Sequence, residues 1–391
     1  MKMAHRELGT MIAPAAVRRA RSEEYPVLSM TMRGGLVDQA DKFKKRIASA
    51  DTSSYKVVRR AQLVVGFPID EGVLAFQELY DEAIVSPAYN IWDIKAGSPV
   101  DRKYLERFLR SPSALAFYRS KLRSTTARRR SLPDDLFLSL SVPLPPMPEQ
   151  QRIVAMLEQA DTLRELRAAA DRGTATIVPA LFQEMFGEFM TANKICRLEP
   201  FGSLLAEPLR NGVSPAVEGR YAARVLTLAA ITGSVFSGRA SKEACFAQQP
   251  DKDNQISSNV FLICRGNGNR NLVGCGKFPV QPESGIVFPD TMIAAKPLPG
   301  RILPQFLEAA WQQAIVRNQI QAGARTTNGS FKINQKVIEE VRLPVPELPL
   351  QKVFAERVAE IRELEAAQAA SRSRLEDLFQ SMLHRAFTGD L

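Results

Sequence analysis

Ser124–Gln151, STTARRRSLPDDLFLSLSVPLPPMPEQQ, lies over Arg325–Lys352, RTTNGSFKINQKVIEEVRLPVPELPLQK, without a gap and at a constant offset of 201. Thr125 and Thr126 meet Thr326 and Thr327, and Gln150 meets Gln351. Pro143, Pro145 and Pro148 meet Pro344, Pro346 and Pro349, while apolar Leu132, Leu136, Phe137 and Leu140 fall on Ile333, Val337, Ile338 and Val341. Working outward, Leu181-Phe182-Gln183 matches Leu378-Phe379-Gln380 at offset 197, and Ile84-Val85-Ser86-Pro87 matches Ile286-Val287-Phe288-Pro289 at 202. Val27-Leu28-Ser29 matches Val225-Leu226-Thr227 at 198. An ordered series of matches along two halves reads as two copies of one unit. Each copy is a globular part followed by a helix.

The globular parts, 1–143 and 194–344, carry strand signals at 55–58, 62–65, 260–263 and 285–288, separated by Gly, Pro, Asn and Asp. Each also holds one helical stretch, 102–122 and 304–321, ahead of a polar loop. Mixed α/β (α+β) is the fold class that follows, with the strand order not readable. The proline clusters Pro145-Pro146-Met147-Pro148 and Pro344-Val345-Pro346 cannot continue a helix or a central strand, so they read as rigid hinges. Beyond the first, Ile153, Leu157, Ala160, Leu163, Leu166 and Ala170 recur every three or four residues. Beyond the second, Phe354, Val358, Ile361, Leu364, Leu375, Leu378 and Met382 do likewise.

Two such helices in one chain can bury their stripes against each other as an antiparallel coiled-coil pair, with spacers over 144–193 and 345–391 and a pseudo-twofold relation between the halves. Gly173 and Pro179 are expected to interrupt the first spacer and leave 177–189 as its second part. A helix over 150–186 would be about 55 Å long, more than one DNA turn of ~34–36 Å, so it could act as a ruler between two heads on one duplex. The fall in offset from 201 to 197 makes the second helix four residues shorter, about one turn.

The chain has 391 residues, 45% of them apolar and 24% charged, a composition able to bury substantial cores. No apolar run is long enough to span a membrane, and the first residues lack the apolar core of a secretory signal. Four cysteines without a CxxC pair, with histidine only at 5 and 384, argue against a structural zinc site or disulfide framework and fit a reducing cytoplasm. The same scarcity of histidine argues against Ser-His-Asp or Cys-His catalysis. No GxxxxGK[ST] loop is present, and the GxG of Arg265-Gly266-Asn267-Gly268-Asn269-Arg270-Asn271 has Asn271 where a third glycine is needed, so it reads as a polar turn. Ser86-Pro87-Ala88-Tyr89 resembles in part the [DNS]-P-P-[YFW] motif of amino-methyltransferases. Its repeat partner, Phe288-Pro289-Asp290-Thr291, lacks that pattern and no glycine-rich cofactor loop precedes either, so both read as strand-end turns.

What remains is recognition chemistry. Lys and Arg number 52 against 42 Asp and Glu, a net +10 that suits a polyanionic partner. Arg is fitted to guanine O6/N7, Asn and Gln to adenine, and Thr to a methyl or a phosphate. The first head offers Arg33, Lys42, Lys44, Lys45, Arg46, Lys56, Arg123, Thr125, Thr126, Arg128, Arg129 and Arg130, with the triple arginine suited to phosphates. The second offers Asn211, Arg239, Lys242, Asn267, Asn269, Arg270, Asn271, Arg325, Thr326, Thr327, Asn328 and Lys332. A solvated surface side chain is the competing reading for each, and turn formation by Ser, Thr and Asn also explains the paired Thr-Thr loops.

Leu144-Pro145-Pro146-Met147-Pro148-Glu149-Gln150-Gln151-Arg152-Ile153, after a variable head and before a long helix, resembles the specificity subunit of type I restriction-modification systems. The echo at Leu343–Gln351 and the closing Leu378-Phe379-Gln380 and Phe387-Thr388-Gly389-Asp390-Leu391 fit its second repeat, with Leu350 standing where the first repeat has Glu149. The resemblance covers essentially the whole chain. It implies two target-recognition domains, each reading half of a bipartite sequence in double-stranded DNA, and helices that set the gap and dock partners. Those partners would be two methyltransferase subunits, bringing S-adenosylmethionine, and restriction-translocase subunits using ATP and Mg. No cofactor, metal or catalytic residue is then expected in this chain. Apolar residues left over on the helices, Met185, Phe186, Met382, Leu383 and Phe387, would be partner surfaces, the competing reading being that they pack the helix pair together. Two other readings stay open: a stand-alone DNA-modifying enzyme with an unrecognised active site, and an architectural DNA-bridging protein.

Overall fold

The computed structural model describes residues 4–32, 34–42, 51–122, 132–191, 198–327 and 329–389, with side chains not described at 42, 188–191 and 327. The chain divides into two compact units: Met1–Arg167 with Ser371–Leu391, and Ala168–Ala370. Each unit takes a head, one part of the first spacer and one part of the helix Leu348–Thr388.

In unit 1 a four-stranded antiparallel sheet runs in the order Ile12–Pro14, Asn90–Ile94, Leu63–Val65, Leu74–Phe76. Its inner strand Leu63-Val64-Val65 is buried throughout, because alternate side chains enter different cores. Leu63 and Val65 point to the helices and Val64 to the opposite face, which is why the strand reads as a continuous apolar run. Over that opposite face lie the hairpin Leu28–Thr31/Gly35–Asp38 and the pair Lys56–Arg59/Glu82–Val85, bridged in parallel at Val27 and Ile84. His5–Glu7 pairs antiparallel with Ser141–Pro143 and closes the head.

Unit 2 has a sheet of the same order: Arg210–Asn211, Met292–Ala295, Phe261–Cys264, Gly276–Lys277. Phe261 and Ile263 enter one core and Leu262 and Cys264 the other. The second layer is Tyr221–Leu226, antiparallel to Ser241–Phe246 and parallel to Ile286–Val287, and Leu198–Pro200 pairs with Arg342–Pro344 to close the head.

The helical stretches expected as single elements are each two helices. Arg102–Leu109 is followed by Pro112–Lys121, broken where Ser111 caps the second helix by accepting from Ala114 N at 3.4 Å and Pro112 takes its first position. Pro304–Trp311 and Ala314–Gly323 are broken at Gln312-Gln313, where neither proline nor a side-chain cap marks the end. The first spacer runs Met147–Thr174 and resumes at Ile177–Thr191, as Gly173 and Pro179 suggested. Pro148 and Pro349 sit inside the first turns of their helices, where a missing N–H costs nothing.

The glutamines after the proline clusters brace each junction in the same way. In unit 1 the fully buried Gln150 donates from Nε2 to Pro145 O (2.9 Å) and Pro99 O (2.9 Å), and its Oε1 accepts from Asp101 N (2.8 Å). In unit 2 Gln351 donates to Pro346 O (2.8 Å) and Arg301 O (3.1 Å) and accepts from Leu303 N (2.9 Å). Glu106 likewise accepts from Phe76 N at 2.9 Å, and Glu308 from Phe278 N at 3.1 Å.

The apolar stripes depart from expectation in mid-helix. Ile153 and Leu157 are buried in unit 1, but Leu163 and Leu166 are 54% and 62% exposed. Arg164 and Arg167 take the seam instead: Arg164 Nε donates to Glu376 at 3.0 Å with its guanidinium 4.2 Å from the Phe379 ring centre, and Arg167 donates to Ser371 Oγ at 2.8 Å. A seam of 3.5 residues per turn through Ile153, Leu157 and Ala160 arrives at 164 and 167, not at 163 and 166. On the other helix, Leu378 faces solvent while the neighbouring Phe379 is buried in unit 1, and Leu364 is exposed in unit 2. In unit 2 the seam is also polar, Thr174 Oγ1 meeting Gln368 Oε1 at 2.9 Å.

Candidate nucleic-acid interface

Most described cations of the heads have local partners. In unit 1 Arg18 pairs with Glu23 and Glu82, Arg60 with Asp81, and Arg102 with Glu78. Lys56 donates to Tyr89 O at 2.6 Å, and burial pushes its ammonium below the ordinary lysine range, so its charge is turned inward. The other first-head candidates, Arg33, Lys44, Lys45, Arg46, Arg123, Thr125, Thr126, Arg128, Arg129 and Arg130, lie outside the described residues, as does the side chain of Lys42. Ser86-Pro87-Ala88-Tyr89 is a turn after the strand Glu82–Val85, closed by Tyr89 N donating to Ser86 O at 3.1 Å.

In unit 2 Arg224 pairs with Glu283 at 2.6 Å, Arg210 with Asp253 at 2.9 Å and Arg301 with Glu199 at 2.7 Å. The loop from Asn267 to Asn271 is a run of Asx turns: Asn267 Oδ1 accepts from Asn269 N (2.9 Å) and Asn269 Oδ1 from Asn271 N (3.0 Å). Its end is tied to the helix Ala314–Gly323. Arg270 donates to Gln321 O at 3.0 Å, Arg317 donates to Asn271 O at 3.0 Å and Val273 O at 2.7 Å, and Gln321 donates to Asn271 Oδ1 at 3.3 Å. Arg270 and Asn271 therefore hold the loop in place.

The segment read from the sequence as a polar Thr-Thr loop is a β-ribbon. Arg325–Thr327 pairs antiparallel with Ser330–Lys332, and Gly266–Asn267 adds a third strand against the latter. Asn328 lies outside the described residues, and Gly329 follows it with φ +74°, the left-handed backbone that a two-residue turn requires. The overlooked signal is the pair Asn328-Gly329 between alternating residues. The register sets Arg325 opposite Lys332 and Thr326 opposite Phe331, which is itself opposite Asn267. Phe331 packs partly buried against the main core of the unit, while Thr326 on the same face stays exposed, and Arg325 and Lys332 share the opposite face. Both are exposed, and neither forms an ion pair with any described residue. Asn211 is exposed on the edge strand of the main sheet, and Arg239 and Lys242 are exposed at and after the turn leading into Ser241–Phe246.

The apolar residues expected to face partners lie largely within the units. Phe186 is buried in unit 2, its ring centre 5.0 Å from Phe306 and 5.3 Å from Phe354. Phe387 is buried in unit 1 against Tyr104 (5.5 Å) and Phe108 (5.3 Å). Met185, Met382 and Leu383 are partly buried against the same cores. The helices use these side chains to seat on the heads.

The whole chain superposes on a chain of the type I R-M system, from a structure addressing its complex assembly and conformational transition. The TM-score is 0.62 at 18% identity, covering 100% of this chain and 98% of that one. It also superposes on the S subunit of the type I restriction-modification system of M. genitalium, with a TM-score of 0.51 at 13% identity, covering 99% and 96%. The fold is that of a type I S subunit. The HsdS subunit from Thermoanaerobacter tengcongensis matches over 100% of this chain and 97% of that one at 18% identity, with a TM-score of 0.45. No family model matches the chain, and no curated protein does.

Within this S-subunit fold, no described helix is long and apolar enough to cross a membrane. Among the described residues no group of three or more His, Cys, Asp or Glu is placed to hold a metal ion. A cavity in unit 1, lined by Gly66, Phe67, Asn90, Trp92, Asp134 and Phe137 among others, holds one carboxylate, and Asn90 already donates to it at 3.0 Å. Among the described residues its lining holds no second acid, base or nucleophile.

Proposed function

We propose that this chain is the non-catalytic, sequence-reading subunit of a type I restriction-modification complex. Each head contacts one block of a split double-stranded DNA target, and the paired helices set the unread gap between the blocks and carry two methyltransferase subunits. The observation that carries this reading is the duplicated head. Two units with the same sheet order, the same pairing of first and last strands and the same glutamine brace occur in a chain that superposes end to end on type I S-subunit structures. The helix Leu348–Thr388, 41 residues and about 60 Å long, is longer than one DNA turn and supports its role as a ruler. Amino-methylation with S-adenosylmethionine, and translocation and cleavage with ATP and Mg, belong in this reading to partner subunits. In this reading the complex acts on cellular DNA in the cytoplasm.

The test is methylation mapping at single-base resolution in cells carrying this gene with its methyltransferase gene, against a deletion of this gene. Loss of methylation at one split motif, two short blocks around a fixed gap, is the expected result. Methyl transfer by the purified chain alone would replace the proposal with a stand-alone enzyme. DNA binding with no split motif would replace it with a bridging protein.

A further inference from the structure

The ribbon of unit 2 combines several features that its neighbours lack. Arg325 and Lys332 are opposed across it, exposed, and without an ion-pair partner among the described residues, whereas Arg210, Arg224, Lys296 and Arg301 of the same unit are all paired with carboxylates. The third position of their row is Gly266, where a Cβ would lie 3.2 Å from Lys332 Cγ, so the lysine stem crosses the sheet over bare backbone. Phe331, on the opposite face, anchors the ribbon to the core and fixes which side faces out. Among the described residues, the strand Arg325–Thr327 is an outer strand with its far edge unpaired. The hairpin Arg325–Thr327/Ser330–Lys332, which forms two adjacent strands of this three-stranded sheet, has the width of a β-ribbon that fits the ~12 Å major groove of B-DNA, and three residues at about 3.4 Å each match roughly three base pairs.

Resting on the DNA-reading role proposed above, we propose that the outer face of the Arg325–Lys332 ribbon enters the major groove of one half-site and that Arg325 reads a guanine there. The planar guanidinium supplies two parallel N–H donors for O6 and N7, which a lysine ammonium cannot match in geometry. Lys332, a point charge on a flexible stem, takes a neighbouring phosphate, while Asn267 and Phe331 brace the ribbon from behind.

The experiment is the same methylation mapping, with this chain in its complex carrying Arg325→Ala, Arg325→Lys or Lys332→Ala. Arg325→Ala is expected to relax one G·C position of one block, losing about 5- to 150-fold discrimination there, with the other block unchanged. Arg325→Lys is expected to relax the same position, and Lys332→Ala to lower methylation evenly at all sites. Should Arg325→Ala abolish methylation altogether, Arg325→Lys decides: a motif still sharp at every position, or an even loss across sequences, overturns the assignment. Arg325→Ala leaving every position sharp overturns it directly. No split motif for the unaltered chain would instead remove the proposed function, and this inference with it.

Discussion

Replacing Gln351 by leucine keeps the volume and the apolar contacts of the side chain but removes all three of its hydrogen bonds. Pro346 O, buried, loses its donor at 2.8 Å, while the partly buried Leu303 N and Arg301 O lose partners at 2.9 and 3.1 Å. A buried group left unsatisfied costs about 1–3 kcal/mol, so one full loss and two partial ones come to about 3–5 kcal/mol. Leucine gains about 1 kcal/mol of burial over glutamine, leaving a net loss of about 2–4 kcal/mol. For a unit of this size, with 1 kcal/mol shifting the midpoint by roughly 2–4 °C, the expected fall is about 4–16 °C. The chain holds two tryptophans, Trp92 in unit 1 and Trp311 in unit 2, both buried, so each unit can be followed by its own fluorescence. In a Trp92→Phe background, Gln351→Leu should lower the Trp311 transition by that amount. In a Trp311→Phe background, Gln150→Leu should do the same to the Trp92 transition. A change below about 1 kcal/mol in either would refute the idea that these glutamines satisfy otherwise stranded junction groups.

Glu308→Leu should cost unit 2 about 3–5 kcal/mol in urea unfolding, because it strands the Lys277 ammonium, whose side chain is 6% exposed and whose partner lies at 3.1 Å. The double change Lys277→Met/Glu308→Leu should recover much of that loss. Leu163→Gln with Leu166→Gln should move stability by less than about 0.5 kcal/mol, whereas Ile153→Ala should cost about 2–5 kcal/mol. The reverse order in a denaturant titration would return the seam to the leucines. The Glu376 carboxyl is held below the ordinary glutamate range, first by the hydrogen bond from Gln380 and then by Arg164. A lowered folded pKa adds stability above the unfolded glutamate value and loses it as pH falls through the folded value. Glu376→Gln should therefore flatten the acid side of the stability–pH profile and leave the alkaline side alone.

The two matching junctions were legible because proline and glutamine there have backbone duties that few other residues can fill. The break near Gly173 was legible for the same reason, since local backbone chemistry speaks through single residues. Sheet order was not, because strands such as Ile12–Pro14 and Asn90–Ile94 pair across long stretches of chain, and nothing local specifies a partner. The helix stripe misled between Ala160 and Thr174, where residues one position apart lie only ~100° apart around the helix and leucines beside the seam mimic a seam. Of the candidate site, residue types were readable and their surroundings were not. Arg270 and Arg325 look alike in the sequence, yet one is tied to a helix carbonyl and the other has no ion-pair partner among the described residues. Phe186 and Phe387 looked available because a stripe shows which face is apolar but not which neighbour covers it.

The composition of the two units carries a consequence for synthesis. Unit 2 is one continuous run of chain, while unit 1 needs residues 371–391 to complete its core, with Phe379, Ala386 and Phe387 among its buried members. As the chain is made, residues 168–370 emerge before residues 371–391, so the earlier head must wait with part of its core uncovered. Holding two pieces of chain together across roughly 200 residues of flexible loop would carry a large entropic cost. Folding unit 2 first removes most of it, because its own helix contact, Thr174 to Gln368, draws the two ends of the insertion together. The nascent head that emerges first is thus the last to be finished.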